Sequence, residues 1–304
     1  APTVTSVTSA ASDKPYKAGA TITVQVNFSE SLTVTGTPRL TLKLGATTRI
    51  VNIDAISGSG TTTLNFSYTV VAGDTSADLD YASTTALALG TGTIKDSSGN
   101  AATLTLPAPA ATGSLGANKA IVIDTTAPTV SSVTSTKADG SYKNGTVVAQ
   151  VVFSENVTVS GTPGLVLWTG SARTVYVSSG SGTATLTFGA MSINAGDNTG
   201  DLDYQNTSSL FLNLGSIADA AGNNAVLTLP TPGAAGSLGA NKAIVIDTTA
   251  PVVTSVTSST ADGAYTVGSV IHLQLGFSEA VSVTGTPQLT LKTGATNQLA
   301  NYTS

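Results

Sequence analysis

Apolar residues alternating with polar ones, no helical periodicity and an internal repeat of domain length predict an all-β chain. The expected architecture is a tandem series of immunoglobulin-like antiparallel β-sandwich domains arranged as a rod. The repeat is the firmest of these observations. Pro2, Pro128 and Pro251 stand 126 and 123 residues apart, and residues 113–128 recur unchanged at 236–251. A period of this length is a whole domain, since domains run to roughly 100–150 residues. Two copies occupy 1–125 and 126–248; a third opens at 249 and stops at Ser304, under halfway through.

Each element follows from its local pattern. Ile22, Val24, Val26 and Phe28 alternate with polar residues, as do Val147, Ala149, Val151, Phe153 and again Ile271, Leu273, Leu275, Phe277. Period two with β-branched residues is a strand with one buried face. Further alternation falls at Leu40-Leu42-Leu44, Leu64-Phe66-Tyr68-Val70 and Leu104-Leu106, and Ala120-Ile121-Val122-Ile123 closes the copy. Turn chemistry separates the runs at Gly36-Thr37-Pro38, Gly58-Ser59-Gly60, Gly73-Asp74 and Ser98-Gly99-Asn100. About seven short strands with regular turns in ~100 residues describe the immunoglobulin-like sandwich. The Cys–Trp–Cys pattern of antibody domains is missing, so any kinship is architectural.

Composition narrows the class. Only 10% of residues are charged, the net charge is −5, and there is no cysteine. Each copy therefore stands on its core, on metals, or on both, without disulfide staples. The acidic balance argues against nucleic acid and anionic membrane surfaces as partners. No apolar run approaches the ~18 residues of a membrane span and no signal peptide opens the chain. Ala1-Pro2-Thr3-Val4 instead matches the internal boundary Ala127-Pro128-Thr129-Val130, as in a segment of a longer array or a mature form.

The acidic residues carry the functional signal. Of seventeen, all but Asp54 keep station between copies: Glu30, Glu155 and Glu279; Asp13, Asp139 and Asp262; and Asp74, Asp78, Asp80, Asp96 and Asp124 as Asp197, Asp201, Asp203, Asp219 and Asp247. Among twelve bases only Lys119 and Lys242 do so in every available copy. Strand order predicts where the acids meet, because alternating strands gather the loops at two ends. The first junction is expected to collect Asp13, Asp74, Asp78, Asp80 and Asp124 from copy one, with Glu155, at the end of its strand, and Asp219 from copy two. The second is expected to collect Asp139, Asp197, Asp201, Asp203 and Asp247, with Glu279 from copy three.

So many carboxylates repel one another without a counter-ion, and calcium takes ~6–8 oxygen ligands of this kind. Asp-X-Asp pairs suit it, because alternate residues of an extended segment project the same way. Structural calcium at the domain junctions is the expected cofactor, stiffening the linker Asp124-Thr125-Thr126-Ala127-Pro128 with the fixed φ of Pro128. The plainer alternative is that Asp favours turns by local hydrogen bonding and that duplication copies residues whether or not they are used. Against it, the copies have drifted at many surface sites, and Glu at a strand end is not a turn device.

The strings Phe-Ser-Glu-X-Val-X-Val-X-Gly-Thr-Pro, Asp-Leu-Asp-Tyr, Asp-X-X-Gly-Asn and Ile-Asp-Thr-Thr-Ala-Pro, spread over essentially all 304 residues, resemble tandem bacterial immunoglobulin-like repeats of giant surface adhesins and biofilm proteins. That resemblance implies secreted, cell-anchored rods projecting a binding tip, extracellular or at the bacterial cell surface, often with calcium at the junctions. An analogy to cadherins is similar in kind, although the linkers here carry one Asp (Asp124, Asp247) where cadherins carry several. Expected partners are calcium ions, neighbouring repeats and a host-cell or matrix ligand.

Catalytic chemistry is thin. His272 is the one histidine; a Ser–His–Asp site needs it, and the other two copies carry Thr23 and Val148 at its place. Paired carboxylates serve glycosidases, but these come without an aromatic platform. The chain reads as a non-enzyme: a calcium-stiffened stalk that projects or links adhesive parts. The alternatives are a receptor-binding module, or a filament or sheath subunit whose partial third copy is completed by strand exchange.

Overall fold

The computed structural model describes residues 1–54 and 59–303. Strand accounts for 45% of the chain and helix for 3%, so the all-β class holds. In copy one the strands are β1 (Val4–Ser9), β2 (Pro15–Tyr16), β3 (Thr21–Phe28), β4 (Thr33–Thr35), β5 (Arg39–Leu44) and β6 (Thr47–Asn52), then β7 (Thr63–Thr69), β8 (Asp80–Tyr81), β9 (Leu87–Ala88), β10 (Thr93–Lys95) and β11 (Val122–Ile123).

Period two explains how they stack. In β3, Ile22, Val24, Val26 and Phe28 point inward and are buried, as are Leu40, Leu42 and Leu44 of β5. The antiparallel sheet β1-β3-β7 and the sheet built on β5 with β6, β8 and β9 share one core with Leu64 and Phe66. The result is a sandwich-like pair of layers. Each such side chain contributes roughly 2 kcal/mol by leaving water. The outer face of β3 pairs polar groups with β7: Thr23 Oγ1 lies 3.2 Å from Ser67 Oγ, and Thr63 donates to Asn27 Oδ1 at 2.8 Å. Cross-strand pairs like these add a few tenths of a kcal/mol each and pin the register. The last strand, β11, lies parallel to β2, with Val122 opposite Pro15 and Ile123 opposite Tyr16.

Copy two repeats the plan around its own core, drawn from Val133 to Ile246, which shares no residue with the first. In residues 249–303, Val253–Ser258 pairs Leu273–Phe277 and Gln288–Lys292 pairs Asn297–Asn301. Leu275 and Phe277 are 41% and 38% exposed there. Their counterparts Val26 and Phe28 are buried because β7 and the facing sheet cover them.

Four expectations need correction. Helix is present as single turns, Leu115–Asn118 and Leu238–Asn241, each capped by a serine (Ser114, Ser237) accepting from the amide three residues on. One turn is too short to leave a periodic signature. Leu104-Leu106 is no strand: Thr103 only bridges Thr3, and Pro107 supplies no donor to continue a ladder. The expected seven strands appear as eleven in copy one, six of them (β2, β4, β8, β9, β10 and β11) only two or three residues long. Glu155 does not end its strand but sits within Ala149–Ser160. Gly58 of the expected 58–60 turn and Ser304 lie outside the described residues.

Candidate functional site

The site is built from a turn, a strand crossing and a linker. Asp219 opens the turn 219–223. Its carboxylate accepts from Asn223 twice, from the backbone N–H at 2.8 Å and the side-chain Nδ2 at 2.7 Å. Gly222 takes φ +87, a left-handed conformation that favours glycine. This is why the Asp-X-X-Gly-Asn string folds locally. Asp96, Gly99 and Asn100 build the same turn in copy one, with the same two bonds.

Glu155 lies where its strand changes partner. Gln150 to Val152 pair with the strand Thr183–Phe188, while Thr158 to Ser160 pair with Ser216–Ala218. The register breaks between Val152 and Val157, and Glu155 projects from that break. A strand that switches sheets in this way turns a corner of the sandwich, bringing Glu155 beside the 219–223 turn, which directly follows Ser216–Ala218.

Asp124 comes from the preceding repeat. Its N–H donates to Tyr16 O at 3.0 Å, and its Oδ1 accepts from Thr126 N at 3.0 Å. Thr125 Oγ1 ties the linker back to copy one through Gly73 N and Asp74 O, both at 3.0 Å. Pro128 O and Thr129 bind copy two through Val226 N and Ser154.

Asp124, Glu155 and Asp219 thus each place a carboxylate oxygen within 4.8 Å of the others, across the boundary between two repeats. Burial pushes the Glu155 carboxyl above its ordinary value, and the charges of Asp124 and Asp219 push the same way. None of the three forms an ion pair among the described residues. The arrangement offers three hard oxygen donors converging on one spot. In copy one the counterparts converge too: Glu30 and Asp96 lie 3.3 and 3.7 Å from the Ala1 amino group.

The other predicted ligands go elsewhere, each for a local reason. Asp74 is buried and turned inward, where Arg49 Nη2 binds it at 2.8 Å and Tyr68 donates to it at 2.6 Å. Burial works to raise its pKa, but the Arg49 and Tyr68 hydrogen bonds outweigh it and hold the carboxyl below the ordinary value. Asp197 repeats this with Arg173 at 2.8 Å and Thr169. Burial again opposes, and the Asn194 amide, Thr169 and Arg173 together leave the carboxyl lowered. Asp13 and Asp139 pair with Lys119 and Lys242, both at 2.7 Å, which lowers both carboxyls. The two bases that keep station are therefore partners of two acids that keep station.

Asp78 and Asp80 crowd the turn Leu115–Asn118, where a Cβ on Gly116 would lie 3.2 and 3.0 Å from their oxygens. Asp80 also accepts from the amides of Tyr81 and Ala110. Asp201 and Asp203 do the same at Gly239, with Tyr204 and Gly233 as donors. Burial raises Asp78 and Asp201, with the neighbouring Asp80 and Asp203 charges adding to it. At the second junction the predicted set is not brought together. Asp247 accepts from Thr249 N, and no cluster of three ligand-type side chains among the described residues includes Asp247 or Glu279.

Sequence reasoning missed Arg49 and Arg173. They stand 124 apart, between the 125 of Glu30/Glu155 and the 123 of Asp74/Asp197, so aligning the two full copies finds them. Comparison with family models, curated proteins and solved structures finds no match. No described helix is long and apolar enough to cross a membrane.

Proposed function

We propose that this chain is a non-catalytic, extracellular repeat segment of a bacterial surface adhesin or biofilm protein, a stalk of immunoglobulin-like domains stiffened by calcium between repeats. The observation that carries the reading is the meeting of Asp124 from one repeat with Glu155 and Asp219 from the next. Three carboxylates offer only oxygen, the donor calcium prefers, and solvent at this partly exposed spot completes the ~6–8 ligands it takes. A cation there relieves the repulsion felt by Glu155 and couples two bodies that otherwise keep separate cores. The resemblance of the boundary and turn strings to bacterial adhesin repeats supports the setting.

Calorimetry with calcium and with excess chelator tests the reading. Calcium at ~100 times its dissociation constant is expected to add about 2.7 kcal/mol to whatever unfolds with the site. Superimposable melting curves and scattering profiles in the two conditions would remove calcium from the account.

A second reading, the filament subunit, draws on the open sheet at Leu273–Phe277, whose counterparts β3 and Gln150 to Val152 each pair with one more strand. A strand from a neighbouring molecule fits that edge. Sedimentation velocity over a range of concentrations separates the two, since only the filament reading requires growing assemblies.

A further inference from the structure

We propose that the turn 219–223 is the surface by which a repeat grips the repeat before it, through a latch that needs no metal. Lys17, in the first copy, donates its ammonium to Gly222 O at 2.8 Å. Asn223 Nδ2 donates to Asp124 O at 2.9 Å while also holding Asp219 Oδ2. One side chain from each repeat thus reaches a backbone carbonyl of the other. Gly222 takes φ +87, which favours glycine, and Lys17 runs beside it, its ammonium 3.6 Å from where a Cβ would stand.

The linker makes such a contact effective. With Thr125 anchored to copy one and Pro128 to copy two, only Thr126 and Ala127 are left between the anchors. A tether this short keeps Lys17 and the turn at high effective concentration, so modest bonds stay formed. An ammonium-to-carbonyl bond is also stronger than a neutral one.

The station of Lys17 holds Lys143 in copy two and Thr266 in copy three. Lys143 makes no hydrogen bond or ion pair among the described residues. The latch does not require calcium: the Lys17 bond touches no carboxylate, while Asn223 is shared with Asp219 Oδ2 of the calcium reading.

The chain lacks cysteine, so Thr48→Cys with Thr174→Cys puts one spin label on an exposed position of each repeat. Pulsed dipolar distances are measured on the full chain in excess chelator. The doubly labelled parent is expected to give one narrow distribution. Lys17→Met loses that narrowness with the melting of both repeats unchanged, Asn223→Ser loses it while also loosening its own turn, and Lys17→Arg keeps it. A narrow parent distribution that calcium neither shifts nor stabilises supports the latch and tells against the calcium site. The proposal is overturned by a parent that is broad until calcium is added, or by Lys17→Met as narrow as the parent.

Discussion

Glu155 and Asp74 carry the same charge into opposite surroundings, and the contrast sets how the protein answers acid. Glu155 is held above its ordinary value by burial and two neighbouring carboxylates, so its charged form is the disfavoured one. Its destabilising effect grows as pH rises through the raised value and vanishes below the ordinary one. Asp74 and Asp197 are depressed, so their contribution is full above the ordinary carboxylate value and is lost as pH falls through the depressed one. In chelator the melting temperature of copy two is therefore expected to rise as neutral solution becomes mildly acidic, then fall in stronger acid. Glu155→Gln should give the mild-acid value at neutral pH and lose the calcium increment; a variant that melts lower in chelator while keeping that increment would show Glu155 to be structural. Arg49→Met and Arg173→Met leave a buried carboxylate without its cation. Each should cost about 2 kcal/mol in its own repeat only, read from calorimetry. The carboxylates were legible because Asp and Glu are rare here and stand out when they recur. Their fates were not, since spacing gives no sign that a nearby arginine turns Asp74 inward while nothing turns Glu155.

Among the elements, β3, β5 and β7 were readable because alternation survives in every residue of a half-buried strand. β4 and β10 were not, being three residues each. What holds them is the absence of side chains at Gly36 and Gly92, where a Cβ on Gly92 would stand 1.9 Å from Thr35 O. A Cβ on Gly215 would likewise stand 2.2 Å from Ser160 O in copy two. Gly92→Ala and Gly215→Ala force backbone apart and are expected to destabilise their own repeats by about 3 kcal/mol, seen as a lowered denaturation midpoint with unchanged slope. The Asp-X-X-Gly-Asn turn was legible as a turn. Its second use, Asn223 reaching back to Asp124, was not, because the bond crosses from one repeat to the other and spacing within a repeat carries no sign of it.

For the whole molecule, the repeat period announced a series of bodies, and two separate cores follow it. The junction was legible to the extent of naming Asp124, Glu155 and Asp219 as neighbours. Of the other predicted ligands, Asp13, Asp74, Asp139 and Asp197 are taken by ion pairs and Asp80, Asp203 and Asp247 by backbone amides, partners that only three dimensions reveal. The parallel pairing of β2 with β11 bears on a load-carrying role. Tension applied between the two ends of a repeat drags adjacent strands past each other, so their hydrogen bonds must rupture together instead of opening one after another. Copy one has two registered pairs in this clasp and copy two has three, Gly140 to Tyr142 against Ile244 to Ile246. Stretched one molecule at a time, the first repeat is expected to yield at the lower force.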